Sequence, residues 1–287
     1  MQKYNWQQDD WPEFKFSLET VDSQLFQLAE MMGHVSGYWE ALPEGMQQEA
    51  IIHMMVAEAV KTSEIEGEFI SRKDVLSSIR RNLGLHLRTD VVKDKRAAGV
   101  AELMVDVRKT FEEPLSEDML FRWHSMLLGD KYGLQIGRWR THIEAMQIVS
   151  GALGKEKVHF EAPPSSRVAE EMNRFIAWFN AYNTSDIKQG AVLAAVSHVY
   201  FESIHPFEDG NGRIGRAIAE KALSQGAGRP VLLSLSKTIE ANRKDYYDAL
   251  MQAQRTNQIT EWIEYFIHTL LKAQEEARFM LDFSVQK

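Results

Sequence analysis

The chain reads as a mainly α protein, a bundle of helices around one buried helix with a single β-hairpin. Three features predict this. The run from Gly190 to Ser203, carrying Ala191, Val192, Leu193, Ala194, Ala195, Val196, Val199, Tyr200 and Phe201, is apolar nearly all round, so it belongs inside a core. Helical periods recur along most of the remaining chain. Strand character is confined to Met146–Ser150 and Val158–Glu161, which flank a turn through Gly151 and Gly154 and stop at Pro163 and Pro164.

The elements follow in order. Trp6, Trp11, Phe14 and Phe16 alternate with polar residues and should pack an N-terminal segment on the core, ahead of a helix carrying Leu18, Val21, Leu25, Leu28 and Met32. A second helix starts near Met46, places Ile51, Met54, Met55 and Glu58 on one face, and stops at Gly67. Val75, Leu76 and Ile79, then Ala97, Val100, Leu103, Met104 and Val107, mark scaffold helices on either side of a polar turn near 82–90. Lys93 to Arg96 form a charge run that a solvated face explains. Ser116 caps a helix with Glu117 and Asp118 in its first turn; its His124 reads as a core or surface histidine rather than a ligand. Val168, Met172, Phe175, Ile176 and Phe179 form an amphipathic stripe, and Asp186 with Gln189 resembles a capping box at the start of the buried helix. Ala217 to Leu223 completes the next helix, which Gly226 and Gly228 break, and a long final helix covers 259–283.

Composition bounds the function. With 287 residues and 44% hydrophobic content, the chain can bury a large core. It has no cysteine, which excludes disulfides and thiolate metal sites and suits a reducing cytoplasm. No apolar run approaches a membrane span, and a net charge of -8 argues against nucleic acid or an anionic membrane as a bulk partner. A cytoplasmic location is therefore expected.

Chemistry concentrates in His205-Pro206-Phe207-Glu208-Asp209-Gly210-Asn211-Gly212-Arg213-Ile214-Gly215-Arg216. The glycines lie where a helix should begin, so backbone amides and the helix dipole converge on an anion, with phosphate the natural guest. Arg213 and Arg216 are three apart and share a helix face, where their guanidinium forks can grip phosphate oxygens. Asp209 offers a hard oxygen ligand for Mg²⁺ carried by those phosphates. His205 can take a proton from an attacking hydroxyl.

This window matches the signature H-P-F-x-D-G-N-G-R-x-x-R at every fixed position and resembles the Fic family. The resemblance implies a Fic helical bundle with a β-hairpin flap and a protein adenylyltransferase. Such an enzyme moves AMP from Mg-ATP to a Ser, Thr or Tyr hydroxyl of a protein and releases diphosphate. It implies His205 as general base and Asp209 as the Mg²⁺ ligand. Asn211, with the Gly210 and Gly212 amides, becomes the phosphate cradle, and Arg213 and Arg216 the phosphate clamps. Tyr246 and Gln254 fall at adenosine-contact positions, with Gln254 standing where Asn is common. Gln147, Ile148 and Val149 fall on the flap that docks the target by strand addition.

Thr62-Ser-Glu-Ile-Glu66-Gly67 resembles the family's inhibitory signature, with Thr62, Glu66 and Gly67 at its fixed positions. Arg216 can pair with Glu66 or with the γ-phosphate of ATP but hardly with both, so the resemblance implies autoinhibition by Glu66. The implied organisation is an N-terminal extension at 1–45, an inhibitory-helix region at 46–70 and a catalytic domain at 71–287, with its core at about 100–225 and C-terminal helices after it. Self-modification, a homodimer and a following winged-helix domain, as in many relatives, are left open.

Rival readings remain. The same site could remove AMP, with Glu66 positioning water, or transfer another phosphate-containing group. Gly210 to Gly215 also satisfies G-x-G-x-x-G, but a helix precedes it and residues 229–237 hold no acid, which argues against dinucleotide binding. A metal hydrolase built on His198, Glu202 and His205 would place the first two one helical turn apart, but His205 is not a clear third ligand and the glycines and arginines go unexplained. A non-catalytic interaction module fits poorly with an intact His205, Asp209, Arg213 and Arg216.

Overall fold

In a computed structural model, residues 4–85, 92–129, 131, 133–150 and 157–285 are described. A 3-10 turn, Asn5–Gln7, precedes eleven α-helices and one two-stranded sheet among these residues. The helices are α1 Asp22–Glu40, α2 Glu44–Ile65, α3 Arg72–Asn82, α4 Lys95–Lys109, α5 Glu117–Leu128, α6 Ser165–Ala181, α7 Ile187–Ile204, α8 Asn211–Ala227, α9 Leu235–Ala241, α10 Arg243–Ala253 and α11 Thr260–Val285. The strands are β1 Gln147–Ser150 and β2 Lys157–Glu161. The mainly α architecture with one hairpin therefore holds, while the expected turn at Gly151 and Gly154 and residues 86–90 of the turn expected near 82–90 fall outside the described residues.

Every residue of α7 from Gly190 to Ile204 is buried, as its all-round apolar character requires. Its most extensive partner is α8, and α6, α11 and α1 also pack on it. Gly190, near the start of α7, meets Gly226, near the end of α8. A Cβ on Gly190 would lie 2.7 Å from the Gly226 Cα, and one on Gly226 would lie 2.5 Å from the Gly190 Cα. The two helices thus form an antiparallel hairpin whose tip is the 205–210 loop. Gly226 does not break α8; it sits inside the helix because two backbones touch there, and Gly228, at φ 65°, supplies the left-handed end.

Local chemistry sets the other ends. α2 closes in a Schellman turn: the Glu68 N–H donates to the Ser63 carbonyl at 2.9 Å, the Gly67 N–H donates to the Glu64 carbonyl at 3.0 Å, and Gly67 takes φ 76°. Ser116 accepts from the Met119 N–H, as expected of its cap. The capping box of α7 is only half formed: Asp186 accepts from the Gln189 N–H at 2.9 Å, but Gln189 accepts from the N–H and hydroxyl of Ser185, one residue short of the cap. Asp94, from the charge run, caps α4 by accepting from the Arg96 N–H.

The N-terminal aromatics pack on the core. Trp11 and Phe14 both meet the Tyr200 ring edge to face, with centroids 5.2 and 5.4 Å away, and Asn5 Nδ2 donates to Ser203 Oγ at 2.8 Å. Leu18 lies before α1 and is half exposed, whereas Val21, Leu25, Leu28 and Met32 are buried. No helix among the described residues is long and apolar enough to cross a membrane.

Candidate active site

The tip of the α7–α8 hairpin carries the site. α7 ends at Ile204, and His205 adopts a left-handed backbone conformation, φ 51° and ψ 60°, the sole non-glycine residue with positive φ among the described residues. This strained turn is held from outside by Arg140, which is 1% exposed. Arg140 Nε donates to the His205 carbonyl at 2.8 Å, Nη2 to the Pro163 carbonyl at 2.6 Å and Nη1 to Ser165 Oγ at 2.8 Å, while the Arg140 N–H donates to the Pro206 carbonyl at 2.9 Å. Burial lowers the Arg140 pKa to about 10, which leaves it charged at neutral pH.

The loop is also closed from within. Asn211 Oδ1 accepts from the Phe207 N–H at 2.9 Å and Asn211 Nδ2 donates to the Phe207 carbonyl at 2.8 Å, so this side chain is spent on the loop itself. Phe207 is fully buried and stacks on His124, with centroids 4.0 Å apart. His124 Nδ1 accepts from the Gly137 N–H at 2.9 Å, which leaves Nε2 as the protonated nitrogen that donates to the Asp209 carbonyl at 3.2 Å. Burial lowers the His124 pKa to about 4, so it is a neutral brace, in keeping with a core histidine.

α8 begins at Asn211 with Gly210, φ 82°, as N-cap and no side chain capping its first amides. The two arginines follow, 3% and 1% exposed. Arg213 Nη1 donates to Glu68 Oε2 at 2.6 Å, and its Nη2 lies 3.4 Å from Asp209 Oδ1. Arg216 Nε donates to Thr62 Oγ1 at 2.8 Å, and its Nη2 donates to the Thr62 carbonyl at 3.0 Å and to Glu66 Oε1 at 2.7 Å. Burial opposes the Arg216 charge, but the Glu66 carboxylate outweighs it and holds the guanidinium above its ordinary range. Arg213 Nε and Arg216 Nη1 are buried without a hydrogen-bond partner among the described residues. Glu66 Oε1 also lies where a Cβ on Gly212 would come within 2.2 Å of it, so the carboxylate rests against the first turn of α8.

Asp209 accepts from Lys131 Nζ at 2.6 Å and, through Oδ1, from the Gly210 N–H at 2.6 Å. Burial pushes its pKa up, but the hydrogen bond from Lys131 and the Arg213 and Lys131 charges outweigh this and hold it below the usual carboxylate range. It is an ionised oxygen donor. No group of three or more His, Asp or Glu residues suited to a metal ion occurs among the described residues.

A cavity of about 590 Å³ brings these parts together. Its walls include Glu66, Gly212, Glu202 and His205 on one side and Ile148, Val149, Lys157, His159 and Phe160 of the hairpin on another, with Tyr246, Tyr247, Leu250, Met251 and Gln254 completing it. β1 and β2 pair antiparallel, Gln147 opposite Glu161 and Ile148 opposite Phe160, with an irregularity before Val149 and Val158. Gln147 is not on the cavity wall; its Nε2 donates to Glu161 Oε2 at 2.7 Å. Tyr246 is buried, with its hydroxyl 2.8 Å from His198 Nε2, and Gln254 Nε2 donates to the Glu202 carbonyl at 3.1 Å, so both line the cavity with their polar ends engaged elsewhere. Tyr247 donates to the Ile65 carbonyl at 3.2 Å, tying α10 to the end of α2.

Lys131, Glu68, Arg140 and Tyr247 join the site without having been expected there, and Glu202, weighed above only as a ligand in a metal hydrolase, joins it beside His205. Of the unexpected four, Glu68 alone carried a signal, as an acid two residues from Glu66. Arg140 and Lys131 lie on connecting segments with no periodicity to read.

An uncapped helix N-terminus, two buried arginines with orphan N–H groups and an adjacent imidazole lie together at the tip of a helical hairpin, an arrangement complementary to an anion. Residues 114–223 match the Fic/DOC family, and residues 4–85 match a domain of unknown function, DUF4172. The chain thus carries a Fic domain. It is 28% identical over 167 residues to a protein adenylyltransferase Fic of Nematostella vectensis, covering 57% of this chain and 35% of the relative. It is 27% identical over 138 residues to the protein adenylyltransferase fic-1 of Caenorhabditis elegans, covering 48% and 24%. The chain therefore spans about a third or less of these relatives. Among solved structures, a Fic family protein from Desulfovibrio desulfuricans G20 superimposes with a TM-score of 0.72 at 21% identity, covering 94% of this chain and 77% of that one. A Fic domain containing signaling protein from Bacteroides thetaiotaomicron does so at 0.65 and 17%, covering 92% and 97%. Both show the same fold.

Proposed function

We propose that this protein transfers AMP from Mg-ATP to a hydroxyl side chain of a protein and that Glu66 holds it in a resting state. One observation carries the reading: His205, the uncapped first turn of α8 and the Glu66 carboxylate paired with Arg216 all border one cavity. The names of the adenylyltransferase relatives support the reaction class.

In the proposed step the target hydroxyl oxygen attacks the α-phosphorus, and the bond from that phosphorus to the bridging oxygen breaks. Diphosphate leaves, and the hydroxyl proton passes to the His205 imidazole. The α8 amides and the N–H groups of Arg213 and Arg216 would hold phosphate oxygens. Asp209 would hold the Mg²⁺ that accompanies them, whose charge would ease departure of the diphosphate; in the resting arrangement this carboxylate accepts from Lys131. The exposed Val149 and its neighbour Ile148 would guide an extended segment of the target along β1.

In the resting arrangement the Glu66 carboxylate already occupies the place of an anion, between Arg216 and the α8 turn. A γ-phosphate and this carboxylate would repel one another at the same fork. The test is incubation with α-labelled ATP and lysate protein: Glu66→Gly should label itself or lysate proteins more than wild type does, and His205→Ala should not label. Glu66 and His205 facing one cavity also suits the reverse service, in which Glu66 positions water to remove AMP. Release of AMP from a labelled protein by wild type but not by Glu66→Gly would favour that second reading.

A further inference from the structure

We propose that Glu202 is the positioning residue for His205, fixing the orientation and tautomer of its ring. Its catalytic consequence rests on the AMP-transfer reading above, but its structural content does not.

Glu202 lies in the last turn of α7, three residues before His205, and is 3% exposed. Its Oε2 is 3.6 Å from His205 Nδ1. His205 Nδ1 is buried with no hydrogen-bond partner among the described residues, and so is the other carboxylate oxygen, Oε1. A buried ring nitrogen left unpaired is costly, and a closer approach to Oε2 than the present 3.6 Å would give it a hydrogen bond. Catalytic hydrogen bonds are often long in unliganded sites and tighten when substrate binds.

The carboxylate has one other unpaired neighbour among the described residues, the buried His198 Nδ1, which with Glu202 Oε1 borders Gly215, while Oε2 is the oxygen that faces His205. The His205 backbone is fixed in its left-handed turn by Arg140, so only the side-chain torsions remain free. The Glu202 carbonyl is held by Gln254. Burial favours the neutral carboxyl, but His205, His198 and Arg216 outweigh it and hold Glu202 below the usual carboxylate range, hence ionised.

Gly215 supplies an independent indication. The motif leaves this position free, yet here it is glycine, and a Cβ there would stand 2.7 Å from Glu202 Oε1 and 3.2 Å from His198 Nδ1. Even a methyl group would compete with Glu202 for its place.

With Nδ1 carrying the proton toward Glu202, Nε2 keeps its lone pair for the hydroxyl proton. When that proton arrives, Glu202 faces the imidazolium and stabilises it as an anion; no proton passes to Glu202.

Ring ¹⁵N–¹H correlation spectra of the full chain, with His205 assigned by its absence in His205→Ala, read the tautomer without nucleotide. The expected result is protonated Nδ1 in wild type and a tautomer mixture in Glu202→Met, which fills the space without an acceptor. In the Glu66→Gly background, Glu202→Met should cut the maximal rate of AMP incorporation at least about tenfold, with half-saturation by Mg-ATP unchanged within about twofold. Glu202→Asp should recover part of it. Unprotonated Nδ1 in wild type, or a folded Glu202→Met with the parent's rate, would overturn the proposal. Should the Glu66→Gly parent transfer no AMP at all, the AMP-transfer reading fails, and the ring spectra alone decide whether Glu202 positions His205.

Discussion

Glu66 Oε1 stands 2.7 Å from Arg216 Nη2, a fully buried guanidinium held from its other side by Thr62. The pair joins the last turn of α2 to the first turns of α8 across 150 residues of chain. Because Thr62 supplies two of the three acceptors on Arg216, the arginine is held in position even when the carboxylate is removed. Thr62→Val should therefore cost about 1–2 kcal/mol of stability, since it leaves a buried Nε–H unpaired. Urea unfolding checks this; an unchanged midpoint would mean that the hydroxyl contributes nothing there.

The turn after α2 also reaches the second arginine, through the 2.6 Å contact from Arg213 Nη1 to Glu68. If both carboxylates compete with phosphate, Glu66→Gly/Glu68→Gln should bind Mg-ATP several-fold more tightly than Glu66→Gly alone. Calorimetry measures it, and equal affinities would make Glu68 a purely structural partner.

His124 gives stability a pH dependence of known sign. Its pKa falls from an ordinary 6.5 to about 4 on folding because it is buried. The unfolded chain therefore takes up a proton below pH 6.5 that the folded chain refuses until about pH 4. The contribution is complete above pH 6.5 and is lost as pH falls toward 4, by about 3 kcal/mol at most. His124→Gln should flatten the stability profile across that window. A mutant profile parallel to wild type would rule out this assignment.

Arg140 is a single side chain that donates to four acceptors around the loop, on Pro163 and Ser165 on one side and Ile204 and His205 on the other. Lysine cannot reproduce a planar fork with five donors, so Arg140→Lys should destabilise by about 2–4 kcal/mol. Thermal unfolding of the variant tests it; a melting temperature equal to wild type would show that the fork is dispensable.

What could be read from the chain was what is local in it. The 205–216 loop was legible because its histidine, glycines and arginines lie within twelve consecutive residues, and the buried α7 because its apolar character runs round the whole helix. Glu66 was legible only through a short signature that resembles that of a known family. Arg140, His124 and Lys131 reach the loop from 65, 85 and 78 residues away, Arg140 and Lys131 from connecting segments without a pattern and His124 from a buried helix face that does not announce its partner. Gly226 was misread because a glycine that ends a helix and a glycine that lets two helices touch look alike until the partner, Gly190, is placed against it. The role of Asn211 inside the loop was hidden for the same reason: its partner is the backbone of Phe207, which every sequence offers.

The most direct measurement is AMP incorporation from α-labelled ATP by wild type, Glu66→Gly and Glu66→Gly/His205→Ala, side by side with lysate protein and resolved by mass spectrometry. Autoinhibited AMP transfer predicts label that rises at least about tenfold from wild type to Glu66→Gly and vanishes when His205 is also removed. Equal label in wild type and Glu66→Gly, or label that survives the loss of His205, would contradict it.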